Sequence, residues 1–183
     1  MKNDQAIIIL QSLFQLCLDT QVIPSEWSKA IVKPLPKSPD NDPRIPLNYR
    51  GISLLSCAGK IFTSLLNTRL MTYLDYHAVL VDEQNGFRRG RSCIDHIYSL
   101  HCITQDRLNK GLKTYLTFID FAKAFDTLDR KMLLHKILHT GIDGKFYFTL
   151  KALYESTKSC VEVNGNRGTP GSFSITFFVL NFH

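Results

Sequence analysis

TFIDFAKAFDTLD, residues 117–129, is the stretch on which the fold turns. An apolar run, KTYLTFI (113–119), leads into Asp120, and Lys123, Asp126 and Asp129 follow closely. β-branched and aromatic residues in such a run predict a strand, with Asp120 on a rigid mount at its end. A carboxylate so placed suits a hard cation. Magnesium takes oxygen ligands, usually one or two protein carboxylates completed by substrate phosphates. A polymerase-type site holds two such ions about 3.5–4 Å apart, which a single aspartate cannot build. The competing reading is structural. Asp126 and Asp129 precede RKMLLHKIL (130–138), where capping and the helix dipole both favour an acidic residue. For those two we take the capping reading.

Outward from this stretch the pattern predicts irregularly interleaved helices and short strands. AIIILQSLFQLCL (6–18) puts Leu10, Leu13, Phe14 and Cys17 at helical spacing and is interrupted by Gln11, Ser12 and Gln15. It reads as an amphipathic core helix, neither targeting segment nor membrane span. SKAIVKPLPK (28–37) predicts a strand that Pro34 and Pro36 confine to a sheet edge or terminate. SPDNDPRIPLN (38–48) predicts a loop. SCAGKIFTSLLNTRLMTYL (56–74) predicts a helix with Ile61, Leu65, Leu66, Leu70 and Leu74 on or near its buried face. NGFRRGRS (85–92) is a basic, glycine-punctuated turn. The next helix has Ser92 as cap and Gly111 as stop. Two shorter helices follow, one stopped by Gly141, then the strand CVEVNG (160–165) with a turn at Asn164-Gly165. Without a repeating βαβ alternation the expected class is α+β.

The 183 residues suffice for one substantial domain, and 44% hydrophobic with 21% charged residues excludes a disordered chain. Five cysteines without a close CxxC pair imply packed, reduced thiols in an intracellular protein, nucleus or cytoplasm undecided, and no disulfide framework. Cys93, His96, His101 and Cys102 lack the rest of a zinc pattern. FSITFFVLNF (173–182) is too short to span a bilayer. The net charge is +6, and within residues 30–69 Lys33, Lys37, Arg44, Arg50, Lys60 and Arg69 stand against only Asp40 and Asp42. Such a surplus suits a polyanion such as nucleic acid, or is an ordinary solvated face; charge alone leaves both open.

Four stretches in order resemble the fingers and palm of a non-LTR (LINE-like) retrotransposon reverse transcriptase: IPSEWSKAIVKPLPK (23–37), NYRGISLLSCAGKIFTSLLNTRL (48–70), DEQNGFRRGRSCIDHI (82–97) and TYLTFIDFAKAFDTLDRKMLLHKIL (114–138). GIDGKFYFTLKALYESTKSCVEVNG (141–165) continues the likeness. The resemblance implies an α+β fold, fingers with an incomplete palm and no thumb. Residues 1–113 would hold the N-terminal helix and fingers, and 114–183 the partial palm. It also implies Mg2+, dNTP, an RNA template and a DNA primer as cofactor and partners.

By this resemblance Asp120 matches the first metal-binding aspartate, the catalytic position. Phe121 matches the residue whose backbone lies near metal and triphosphate. Phe125 matches the aromatic under the sugar, with a core aromatic as its other reading. Arg50 matches the fingers arginine that packs on the incoming nucleotide, and Lys37 the lysine facing the triphosphate. A guanidinium grips phosphate oxygens in pairs, whereas lysine acts as a point charge. Arg88, Arg89 and Arg91 suit backbone phosphates, with Gly86 and Gly90 permitting close approach. Two features depart from the family. No two aspartates are adjacent anywhere in the chain, and GSFSITFFVLNFH (171–183) stands where a glycine-rich segment with a Gln-Gly pair is expected. The expectation is therefore the front portion of an RNA-directed DNA polymerase domain, inactive alone. The alternative is a non-catalytic nucleic-acid-binding remnant of a decayed retroelement.

Overall fold

Two helices distant in sequence, α1 (Lys2–Thr20) and α2 (Cys57–Tyr76), meet around the chain's one tryptophan. The computed structural model describes residues 2–121, 124 and 127–170. Phe14 of α1, Trp27 and Phe62 of α2 form an aromatic triangle with ring centroids 5.2–5.8 Å apart. Such tilted and edge-on pairs are favoured by the ring quadrupoles. Gly59 permits the approach, because a Cβ there would lie 3.1 Å from the Cβ of Trp27.

The buried stripe of α2 is Phe62, Leu66, Leu70 and Leu74, an i, i+4 repetition. Ile61, expected on that face, is 51% exposed. Phe62 takes the inward position in its place, while Leu66, Leu70 and Leu74 are buried as predicted and Leu65 is partly buried. α4 (Arg130–His139) and α5 (Gly144–Glu155) complete the core with Leu133, Leu134, Ile137, Leu150, Leu153 and Tyr154. Burial pushes the Tyr154 phenol well above its ordinary pKa. Asp129 caps α4, its carboxylate accepting from the N–H groups of Lys131 (2.8 Å) and Met132 (3.2 Å). That agrees with the capping expectation for Asp129; Asp126, like Phe125, lies outside the described residues. Gly141 ends the α4 turn at φ +83°, within reach of the Tyr73 hydroxyl.

The prolines were expected to hold β1 (Lys29–Pro36) to an edge or to end it: it ends at Pro36, but it is central, in a sheet ordered β2 (Tyr49–Leu54), β1, β3 (Lys158–Val163), β4 (Asn166–Arg167). The prolines permit this because each neighbour uses a different part of β1. β3 pairs with it in parallel only over Lys29–Val32. Beyond that, the Lys37 N–H donates to Asn48 O (2.8 Å), so odd positions direct their donors toward β2. Pro34 and Pro36 lack donors only on the other side, where the pairing with β3 has ended. The hairpin turn Asn164-Gly165 has φ +52° and +79°, both left-handed, as a two-residue loop of this kind requires.

α3 (Cys93–Asn109) begins at a Ser92/Asp95 capping box and stops before Gly111 (φ +67°), as its sequence predicts. It buries no residue. The following segment, predicted as the strand ending in Asp120, belongs to none: residues 112–121 join no ladder. Strand-forming side chains are insufficient without a neighbour to accept their backbone bonds, and the sheet is assembled from other segments. Phe118 and Ile119 are each 82% exposed. One core and one sheet thus draw on residues from both sides of position 113. The thiols also differ from expectation: Cys17 is buried, but Cys57, Cys93 and Cys102 are exposed. No helix among the described residues is long and apolar enough to cross a membrane.

Candidate nucleotide and nucleic-acid interface

Alternation along β1 decides which side chains share a surface. Register pairs Ile31 with Leu54, Lys33 with Ile52 and Leu35 with Arg50. Side chains at alternate positions of a strand lie on one face, so Lys29, Lys33 and Lys37 fall on the same face as Arg50. Lys37 sits one residue past β1 and continues the ladder through Asn48, which brings it diagonally beside Arg50. Diagonal neighbours on one face of an antiparallel pair lie about 7–8 Å apart. Lys37 and Arg50 are therefore brought together, both exposed.

The loop between them is fixed. Asp42 forms an ion pair with Arg44 (3.1 Å), Asn48 Nδ2 donates to Asp42 O (3.0 Å), and the Tyr49 hydroxyl donates to Pro43 O (2.9 Å). That pinning orders the approach to Arg50 without using Arg50 itself.

Across β1 the same face continues through Lys158, Cys160 and Glu162, which alternate on β3, to Arg167 of β4. A groove of about 740 Å³ opens here, lined among others by Lys29, Ile31, Leu54, Lys158, Cys160 and Arg167. Glu162 is the counter-charge. It accepts from Arg167 Nε (2.9 Å) and pairs with Lys33 Nζ (3.2 Å), and these bonds hold its carboxyl below the ordinary carboxylate range. Lys29, Lys158, Glu162 and Arg167 were not singled out from sequence. The signal for the first was present: Lys29, Lys33 and Lys37 recur every fourth residue in KAIVKPLPK, which in a strand means one face.

The three arginines of the glycine-punctuated turn have different surroundings. Arg88 is mostly buried and donates to Val81 O (2.9 Å) and Asp75 Oδ1 (3.2 Å), tying the turn to the end of α2. Arg91 pairs with Asp82. Arg89 is exposed, with no hydrogen bond or ion pair among the described residues. Gly90 adopts φ +77° and faces open space.

Asp120 and Phe121 lie side by side on the unpaired segment, both exposed, Phe121 to 76%. Phe125 lies outside the described residues. Among the described residues no three His, Cys, Asp or Glu side chains converge as a metal-binding group. Asp120 alone does not make a magnesium site, and no catalytic step follows from the described residues through such an ion. What the arrangement offers is a basic sheet face, an exposed arginine in a turn, and a separate exposed aspartate.

An α/β chain with a cationic sheet face and Asp120 in this sequence setting defines a class, and comparison with known proteins places the chain in it. The family model for reverse transcriptase (RNA-dependent DNA polymerase) matches residues 35–176, and the chain belongs to that family. More particularly, it is similar to proteins of non-LTR elements. It is 32% identical over 174 residues to a 115 kDa protein of the type-1 retrotransposable element R1DM of Drosophila melanogaster, covering 92% of this chain and 17% of that protein. It is 26% identical to the RNA-directed DNA polymerase from mobile element jockey of the same organism, covering 91% of this chain and 18% of that protein. The chain thus spans under a fifth of the length of these relatives.

Proposed function

We propose that this chain forms the fingers (within residues 1–113) and the front of the palm (within 114–183) of an RNA-directed DNA polymerase. The observation that carries the reading is the placement of Lys37 and Arg50 on one sheet face beside further cations. There Arg50 would grip a dNTP through paired bonds to phosphate oxygens and stack on the base, with Lys37 as a point charge on the triphosphate. Phe121 offers its backbone beside the triphosphate, and Phe125 underlies the sugar. Arg89 meets a phosphate of an RNA template or DNA primer directly. Arg88 acts through the turn it secures, and Arg91 is available once its pairing with Asp82 is exchanged for a phosphate.

Asp120 is the proposed catalytic carboxylate and magnesium ligand. The ion, when bound, neutralises charge on the phosphates undergoing exchange. Within these 183 residues no adjacent aspartate pair supplies the remaining ligands, so binding without nucleotide incorporation is expected of the polypeptide by itself. Two assays on the full chain test this. Primer extension on an RNA template with magnesium should give no product. Fluorescence anisotropy with an RNA–DNA duplex should show affinity falling steeply with salt between about 50 and 200 mM, the mark of phosphate contacts. Adding magnesium and the templated dNTP should tighten that binding, and replacing Lys37 and Arg50 with alanine should abolish the tightening, whereas Arg89→Ala should flatten the salt slope of the duplex itself by about one unit. A dNTP effect retained in the double variant, an unchanged slope in Arg89→Ala, or extension abolished by Asp120→Ala, would overturn the assignment.

A further inference from the structure

α4 carries a second constellation, unrelated to the sheet face. Its inner side buries Leu133, Leu134 and Ile137. His135 and His139 lie on the outward side, both exposed and one helical turn apart. Residues at i and i+4 stand one above the other on a helix surface. Here the rings approach at a centroid distance of 4.3 Å, tilted by 67°, with their Nε2 atoms 3.2 Å apart. That spacing permits one imidazole to donate to the other. It also matches the bite of a chelate. Metal–imidazole bonds of about 2.0–2.1 Å spanning it subtend an angle of about 100°, between the square-planar and tetrahedral values. His139 is the last residue of the helix, where unpaired carbonyls favour a cation.

We propose that His135 and His139 form a surface chelate for a borderline first-row transition ion, taken in the order Cu2+ ahead of Ni2+ or Zn2+. Each ring keeps its proton on Nδ1 and gives the Nε2 lone pair to the ion. Two waters leave the ion, the remaining positions stay hydrated, and no covalent bond of the protein changes. Lys131 and Lys136 on the same helix oppose the incoming charge, which excludes ions held by charge alone. Magnesium, which demands oxygen ligands, is not a ligand for this pair.

Ni2+ titration of the full chain, followed by amide NMR at neutral pH and by calorimetry, tests the proposal. Ni2+ avoids the copper-driven oxidation to which exposed thiols are prone. Paramagnetic broadening should begin at residues 131–143 and saturate at one ion. His135→Ala or His139→Ala should weaken this event on the order of a hundredfold, because the second imidazole no longer binds intramolecularly. His96→Ala and His101→Ala, on exposed positions of α3, should leave it unchanged. Broadening that starts at α3, equal affinity in the α4 variants, or no saturable binding would overturn the chelate and leave only a hydrogen-bonded pair.

Discussion

Phe62→Ala tests where the core lies. Phe62 is fully buried and touches both Phe14 and Trp27, with ring centroids at 5.2 and 5.4 Å. Truncating a buried phenylalanine removes its transfer free energy and leaves a cavity, together costing about 3–5 kcal/mol. Removal of the two aromatic pairings places the expected value at the upper end, since each such pair adds about 0.5–1.5 kcal/mol. Domains are stable by only about 5–15 kcal/mol, so the variant should be close to unfolding at ambient temperature. Trp27 is the chain's one tryptophan and lies against the site of the change, so its fluorescence reports urea unfolding directly. Ile61→Ala is the matched control on the neighbouring, half-exposed position and should cost under about 1 kcal/mol. Comparable midpoints for the two variants would refute the assignment of Phe62, and not Ile61, to the core.

Three further outcomes are expected. Gly141→Ala forces a side chain into φ +83°, where its Cβ would lie 3.0 Å from the Tyr73 hydroxyl, and should destabilise by more than about 1 kcal/mol in thermal melts. The depressed Glu162 contributes stability that is present above the ordinary carboxylate pKa and is lost as pH falls through its lower folded value. Glu162→Gln should therefore show a flatter acid limb of Tm against pH than the unaltered chain, and tighter duplex binding with a steeper salt slope; a superimposable acid limb would remove Glu162 from its proposed place between Arg167 and Lys33. Arg88→Ala should lower thermal stability because it cuts the turn from α2, whereas Arg89→Ala should leave the melt unchanged and weaken duplex binding; the reverse pattern would exchange their roles.

Periodicity read α1 and α2 because their buried stripes are continuous, whereas α3 buries no residue and was marked by its cap and stop. The caps at Asp129 and Ser92 and the stops at Gly111 and Gly141 were legible from residue type alone. β2 was missed because YRGISL is almost wholly exposed, so no core-facing alternation marks it. The central place of β1 could not be seen, since it depends on how far β3 runs alongside. TYLTFI has the composition of a strand, but a ladder is a property of two segments, and no neighbour pairs with it among the described residues. Arg88 and Arg89 are alike in sequence. Only the position of Val81 and Asp75 separates the arginine that holds the turn from the one that faces outward.

The bare flank formed by α3 and residues 112–121 changes what binding must supply. Fixing one residue's backbone costs roughly 1–2 kcal/mol in conformational entropy. For a strand in a ladder this is met once, on folding. For Asp120 and Phe121, which no ladder holds, it falls on each ligand that needs them in one arrangement. Apparent affinity is then the intrinsic affinity reduced by the fraction of molecules already so arranged. By thermodynamic reciprocity, anything that orders residues 114–120 along their backbone tightens the grip on a ligand at Asp120 without touching it, and the ligand tightens that backbone contact by the same factor.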